Sequence, residues 1–374
     1  MVERTALLIG GGGPTGPHIA AGLSRRGHRV TLLHRGHHEA PGLEAYEHLH
    51  ADPHFRESLD QALTGRTFDV VVATYGRSRV VAEALADRCE ALVAVSGVPV
   101  YAGYHEPHRQ VPHGMPVFAD EEVVGRRRAP AGEETAGEAF ARKVRSGEER
   151  MLDMHAEGRF SASVFRYPSI YGPRQVYPRE WSIVRRVLDG RDRVILPDGG
   201  LTITTRCAAA NAAAHLLAAV DRPDAAAGEV FNVADRDQFT VRQWVEIVAA
   251  AAGGILHPVS LPFDLAGPGR ALYPIAHDDH VIVDARKAVD VLDYVEPVPA
   301  ERALSETVAW YLQHPPQDTA GALLDRFDYA EEDRVITSFR RATDELRSRQ
   351  ARLEAAAHPY PHPEAAGQRD RRGR

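Results

Sequence analysis

Short apolar runs separated by glycine-rich or charged turns fill the first third of the chain and set its class. Residues 5–9, 29–33, 68–73 and 91–95 are almost uniformly apolar, the pattern of strands covered on both faces, as in a parallel sheet flanked by helices. Between the first two, residues 19–27 carry helical spacing, so residues 5–33 predict a βαβ unit. Thr240 is placed to cap a helix over 241–252. The alanine-rich stretch 208–220 is too short for a membrane span and contains Asn211 and His215, which predicts a packed helix. Residues 327–354 are charged, with Ile336, Phe339, Leu346 and Leu353 at helical spacing. Alternation of strands and helices predicts an α/β, doubly wound parallel sheet.

The turn between the first strand and helix reads Gly10-Gly11-Gly12-Gly13-Pro14-Thr15-Gly16. Gly10, Gly13 and Gly16 have the spacing of a dinucleotide-binding turn. There the backbone takes conformations that a Cβ opposes, and the following helix offers free N–H groups to a pyrophosphate. Pro14 and Thr15 fall inside the cradle. A Rossmann-type sheet is therefore expected. At the end of the second strand, where NAD sites place a carboxylate for the ribose hydroxyls, the chain has His34-Arg35. A guanidinium there suits a 2′-phosphate, so NADP(H) is favoured over NAD(H). Ala73, Thr74 and Tyr75, at the end of the strand over 68–73, are further expected cofactor contacts.

These segments resemble the extended short-chain dehydrogenases/reductases, the NAD(P)-dependent epimerase/dehydratase family, over residues 5–315. The resemblance implies an adenine contact at Asp52, whose neighbour Pro53 also allows a turn or helix-cap role. It implies a nicotinamide-side segment at Arg166-Tyr167-Pro168-Ser169-Ile170-Tyr171-Gly172-Pro173, and a catalytic Ser/Thr, Tyr and Lys. The chain departs from the family at all three catalytic positions. Gly97 stands where the serine or threonine is expected, just after Ser96, itself an expected cofactor contact; Phe140 replaces the tyrosine, and Val144 replaces the lysine. Gly147-Glu148-Glu149 anchors that register. Phenylalanine has no exchangeable proton and valine no charge, so the usual proton relay is absent. Lys143 lies one residue from the lysine position, about 100° away around a helix. Replacement proton donors are sought in Tyr101, Tyr104, His105 and Tyr171.

Three readings of function follow. The first is an NADP(H)-binding, epimerase/dehydratase-like oxidoreductase acting on a small hydroxylated or carbonyl substrate through an unusual proton relay. The second is a non-redox isomerase, cyclase or lyase on the same scaffold. The third is a nucleotide-binding regulatory pseudoenzyme. Residues 1–170 are expected to form the cofactor core, with a long loop over 101–134. Residues 171–356 would form mainly the smaller, discontinuous C-terminal substrate lobe, with core segments returning near 203–234, and 357–374 a disordered tail. A homodimer is implied by the resemblance.

Composition narrows the partners. The 374 residues carry a net charge of -7, which gives no general attraction to nucleic acid or anionic lipid. Two cysteines, Cys89 and Cys207, form no disulfide framework or metal spacing, and with the first strand so near the start no signal peptide is expected. A cytoplasmic protein without a metal or a membrane span is expected. His105, His108 and His113 share neither helical nor strand spacing.

Overall fold

The computed structural model describes residues 4–36, 41–123, 132–317 and 325–349, together with Ala365, Ala366 and Gln368. The remainder of the expected tail lies outside the described residues. The chain divides into two units, 1–327 and 328–374.

The first unit opens as β1 (Arg4–Ile9), α1 (Gly16–Arg25), β2 (His28–His34), β3 (Glu47–His50), α2 (Arg56–Ala62), β4 (Phe68–Ala73), α3 (Ser78–Leu85) and β5 (Cys89–Gly97). It continues through α4 (Ala136–Ala156), β6 (Ser161–Tyr167), β7 (Ser169–Tyr171), α5 (Arg179–Leu188), β8 (Arg193–Pro197), β9 (Arg206–Ala208), α6 (Ala209–Asp221), α7 (Pro223–Ala226) and β10 (Glu229–Asn232). It closes with α8 (Val241–Ala251), β11 (His257–Leu261), α9 (Arg286–Leu292) and α10 (Ala300–Gln313).

Seven strands form one sheet in the order β10-β6-β5-β4-β1-β2-β3, and every pairing is parallel. The order reverses beside β1, which opens a crevice at the carboxyl ends of β1 and β4, where ligands of such sheets bind. Both faces are covered, as the uniform apolar runs require. Leu8, Ile19, Val72 and Phe165 belong to one core, and Leu7, Ile9, Val71 and Val164 to the other. Burying such side chains contributes about 1.5–3 kcal/mol each.

A third core lies away from the main sheet. It joins Tyr171, Trp181, Val184, Val194, Trp244, Leu304 and Tyr311 from α5, α8, α10 and the two short sheets β8–β11 and β7–β9. Thr240 caps α8 as expected: its Oγ1 accepts from Gln243 N–H at 3.1 Å and its own N–H donates back to Gln243 Oε1 at 2.9 Å. An equivalent box, Thr135 with Glu138, starts α4.

The long loop before α4 has a packing core of its own. Val98, Val100, Tyr101, Met115 and Ala119 cluster with Ile275, Val281 and Val283, and Ala119 bridges Val283. The second unit contains α11 (Tyr329–Arg349), inside the helix expected over 327–354.

Candidate active site

The three spaced glycines do different work. Gly10 has φ +92°, and a Cβ there would lie 2.4 Å from Tyr75 Cβ and 2.8 Å from Thr74 Oγ1. A Cβ on Gly16 would lie 1.8 Å from the Gly11 carbonyl oxygen. Both positions are closed by the protein itself. Around Gly13, by contrast, the nearest atom to an added Cβ is Gly10 O at 4.0 Å, so that side of the turn has room for a ligand. Thr74 Oγ1 donates to the carbonyls of Ile9 at 3.1 Å and Gly10 at 3.2 Å, bracing β1 against β4. Pro14 is half-buried and Thr15 buried, next to the α1 N-terminus. The arrangement fits a pyrophosphate.

At the other end of the crevice, Arg35, Asp52, His54 and Tyr75 come together. The Arg35 guanidinium lies 5.4 Å from the Tyr75 ring centroid, and His54 meets that ring edge-on at 5.0 Å. Asp52 Oδ1 accepts from the His54 backbone N–H at 3.0 Å and pairs with its ring at 2.7 Å. Those hydrogen bonds hold the Asp52 carboxyl below its ordinary range. Arg35 is exposed and has no ion pair among the described residues. His34 is engaged by other groups: Nδ1 accepts from Gly36 N–H at 3.0 Å and Nε2 meets His48 Nδ1 at 2.6 Å. Ala73 is buried in the core.

The catalytic helix of the resemblance is α4. Phe140 is 51% exposed. Val144 packs on the cluster of Val98, Val100 and Tyr101. Lys143 is exposed. Gly97 ends β5 in extended conformation, φ -152°. The Ser96 hydroxyl is not free, because it donates to Glu148 Oε1.

Of the four proposed proton donors, the structure brings Tyr104 and His105 to the Phe140 face and places Tyr101 and Tyr171 elsewhere. His105 meets Phe140 edge-on at 5.8 Å and Tyr104 at 4.9 Å. Its Nε2 is buried without a hydrogen-bond partner, and burial holds the imidazole below its ordinary pKa. Burial also raises the Tyr104 phenol. Tyr101 is committed inside the protein: its hydroxyl donates to Asn232 Oδ1 at 2.7 Å and accepts from Arg166 at 3.0 Å, while burial pushes its pKa up to about 12. Tyr171 donates to Asp235 Oδ2 at 2.7 Å within the third core. Tyr167 donates to the Ala212 carbonyl at 3.3 Å. Pro168 is half-buried, and Ser169 and Ile170 lie in β7 beside Arg206 and Cys207 of β9.

Three features had no reading in the sequence. Arg166 and Glu148 form a buried bidentate pair, with Nε–Oε1 at 3.0 Å and Nη2–Oε2 at 2.8 Å. Arg145, next to Val144, donates to the Val100 carbonyl at 3.0 Å and has a buried Nε without a partner. The third is Arg179, the first residue of α5, half-buried beside Tyr177. Among the described residues no group of three or more His, Cys, Asp or Glu is placed to hold a metal, and no helix is long and apolar enough to cross a membrane.

A parallel seven-stranded sheet with a glycine cradle at its reversal point defines an extended short-chain dehydrogenase/reductase scaffold. Residues 6–234 match the NAD dependent epimerase/dehydratase family, and the chain belongs to it. One relative is the 3-diazoavenalumate denitrifying reductase of a Streptomyces species. It is 28% identical over 275 residues, covering 70% of this chain and 85% of that protein. Two solved structures share the fold at 18% identity. UDP-glucose 4-epimerase of Thermotoga maritima, with UDP-glucose, has a TM-score of 0.66 and covers 84% of this chain and 100% of its own. The dTDP-glucose 4,6-dehydratase of Bacillus anthracis, in complex with NAD, has a TM-score of 0.63 and covers 83% and 97%.

Proposed function

We propose that this protein is a nicotinamide-dependent reductase whose acceptor takes a hydride without receiving a proton from the protein, and that its substrate class is a diazo-bearing organic acid. One observation carries this reading: a glycine cradle open at Gly13 is joined to a catalytic face on which Phe140 and Val144 offer neither proton donor nor ammonium. Gly10, Gly13, Thr15 and Gly16 would hold the pyrophosphate, and Tyr75 and Asp52 would flank the adenosine. Arg35, without an ion pair among the described residues, would receive a 2′-phosphate, which favours NADP(H).

A reduced nicotinamide bound there supplies a hydride. A carbonyl acceptor would become an alkoxide and need a proton from its surroundings. A diazonium group is already cationic. Hydride addition converts C–N≡N⁺ to neutral C–N=N–H; the N–H hydrogen then moves to carbon as N2 leaves, so the products are C–H and N2. The balance requires no proton from the protein, which is the demand that Phe140 and Val144 leave unmet. The denitrifying-reductase relative supports this class of acceptor.

With NADPH and an arenediazonium carboxylate, we expect protein-dependent loss of nicotinamide absorbance and release of an equal amount of N2. No N2 above the protein-free control would overturn the reading. A second reading, reduction of a carbonyl with His105 as proton source, is favoured by the unpartnered Nε2 beside Phe140. It predicts ketone reduction that disappears in His105→Phe. Burial counts against it, because an imidazole held below its ordinary pKa carries little proton near neutral pH.

A further inference from the structure

We infer that Arg179 is the seat of a carboxylate on the substrate, an inference that rests on the reductase reading for which acid is bound. Arg179 opens α5 and is half-buried. Its Nε reaches only the Tyr273 carbonyl, at a long 3.4 Å, and its guanidinium lies 5.5 Å from the Tyr177 ring centroid. No carboxylate lies within ion-pair distance among the described residues. Other arginines drawn into the interior do have one: Arg166 pairs with Glu148, Arg186 with Asp325, and Arg206 has Glu180 at 3.7 Å.

The adjacent Glu180 is committed elsewhere, since it accepts from Gln175 and from Trp244 Nε1 and faces Arg206. A cation withdrawn from water without a counter-charge is costly. Burial accordingly pulls the Arg179 pKa below its ordinary value, a pull opposed by Glu180, Tyr104 and Tyr177. An anion placed there recovers that cost through charge-assisted, bidentate hydrogen bonds.

Position ties this seat to the reacting face. Arg179 and Tyr104 interact electrostatically, Tyr104 touches His105, and His105 touches Phe140 of α4. This would orient an elongated aryl acid with its carboxylate toward α5 and its far end toward Phe140. The same chemistry explains why a guanidinium rather than a lysine is suited here: its planar fork matches both carboxylate oxygens while stacking on Tyr177.

The test is calorimetric titration of the full-length protein with cinnamate and with its neutral amide, cinnamamide. Cinnamate should bind roughly 10- to 100-fold more tightly. Arg179→Gln should erase that preference, and Arg179→Lys should restore part of it. Equal binding of acid and amide, binding of neither, or a preference that survives in a folded Arg179→Gln protein would each overturn the assignment. Cinnamate has no diazo group, so the two proposals fail separately. Acid binding through Arg179 without N2 release would leave the carboxylate seat and remove the reductase reading. Equal N2 release from neutral and carboxylate-bearing diazonium salts would do the reverse.

Discussion

Two neighbouring regions treat polar groups in opposite ways. In the interior network at the ends of β5, β6 and β10, Ser96, Glu148, Arg166, Tyr101 and Asn232 satisfy one another, and Asn232 also bonds the Ala119 and Asp284 carbonyls at 3.0 Å. Beside Phe140, His105 Nε2 has no partner; Arg145 Nε, elsewhere on α4, also has none, and Arg179 has no carboxylate within ion-pair distance among the described residues. Helix α4 contributes to both. Its second half keeps Gly147, where a Cβ would lie 2.9 Å from Ser78 Cβ, and Glu148, which anchors Arg166. Its first half carries exposed Phe140 and Val144, which packs on the loop cluster. One helix thus serves a closed polar network at one end and an apolar face at the other.

Breaking the network should cost most. Glu148→Gln leaves Arg166 charged and unpaired in the interior, and denaturant unfolding should show a loss of about 3–5 kcal/mol. A loss below about 1 kcal/mol would mean that the network is not what the geometry describes.

Next comes an acid sensitivity set by imidazoles that each have one buried ring nitrogen without a partner. His215 is fully buried, its Nδ1 has no partner, and burial lowers its pKa to about 4. The unfolded chain takes up that proton below about 6.5 while the folded chain does not, so stability falls as pH drops from 6.5 toward 4 and the effect is complete below 4. The displacement corresponds to about 3 kcal/mol. His215→Phe should flatten this part of a stability–pH curve. His105, beside Phe140 and only half-buried, is shifted in the same direction, and His105→Phe should flatten the curve less.

Introducing the expected lysine sharpens the contrast. Val144→Lys places an amine in the cluster of Val98, Val100 and Tyr101 and should cost about 1–3 kcal/mol. Phe140→Tyr, at an exposed site, should leave the melting temperature unchanged. Carbonyl reduction appearing in the double variant would show that the family's geometry persists. The smallest effect on stability is expected at Gly13→Ala, within about 0.5 kcal/mol, because its Cβ meets open space. Nucleotide titration should nonetheless show weakened binding, and unchanged binding would dissociate the glycine turn from the cofactor.

Most of the sheet was legible because buried parallel strands leave continuous apolar runs. The edge strand β3, Glu47-His48-Leu49-His50, has no such run and emerges only from pairing with β2. The glycine spacing located the cradle, but only the structure separates Gly10 and Gly16, closed by the protein, from Gly13. Among the proton-donor candidates, chain position could not distinguish Tyr101 from Tyr104. One hydroxyl enters a closed network and the other ring lies beside His105, a difference created by the loop folding back on α4. His105 Cβ sits where a Cβ on Gly137 would approach within 2.6 Å. Glu148 marked the register without revealing its partner. Arg179 gave no signal, because the absence of a counter-charge is a property of packing rather than of residue type.

The central claim, hydride acceptance without a proton from the protein, is tested most directly by the solvent isotope effect on single-turnover nicotinamide oxidation with an arenediazonium carboxylate. Equal rates in H2O and D2O are predicted, since no exchangeable proton moves in that step. A several-fold slowing in D2O would place a proton donor in the transition state and contradict the account.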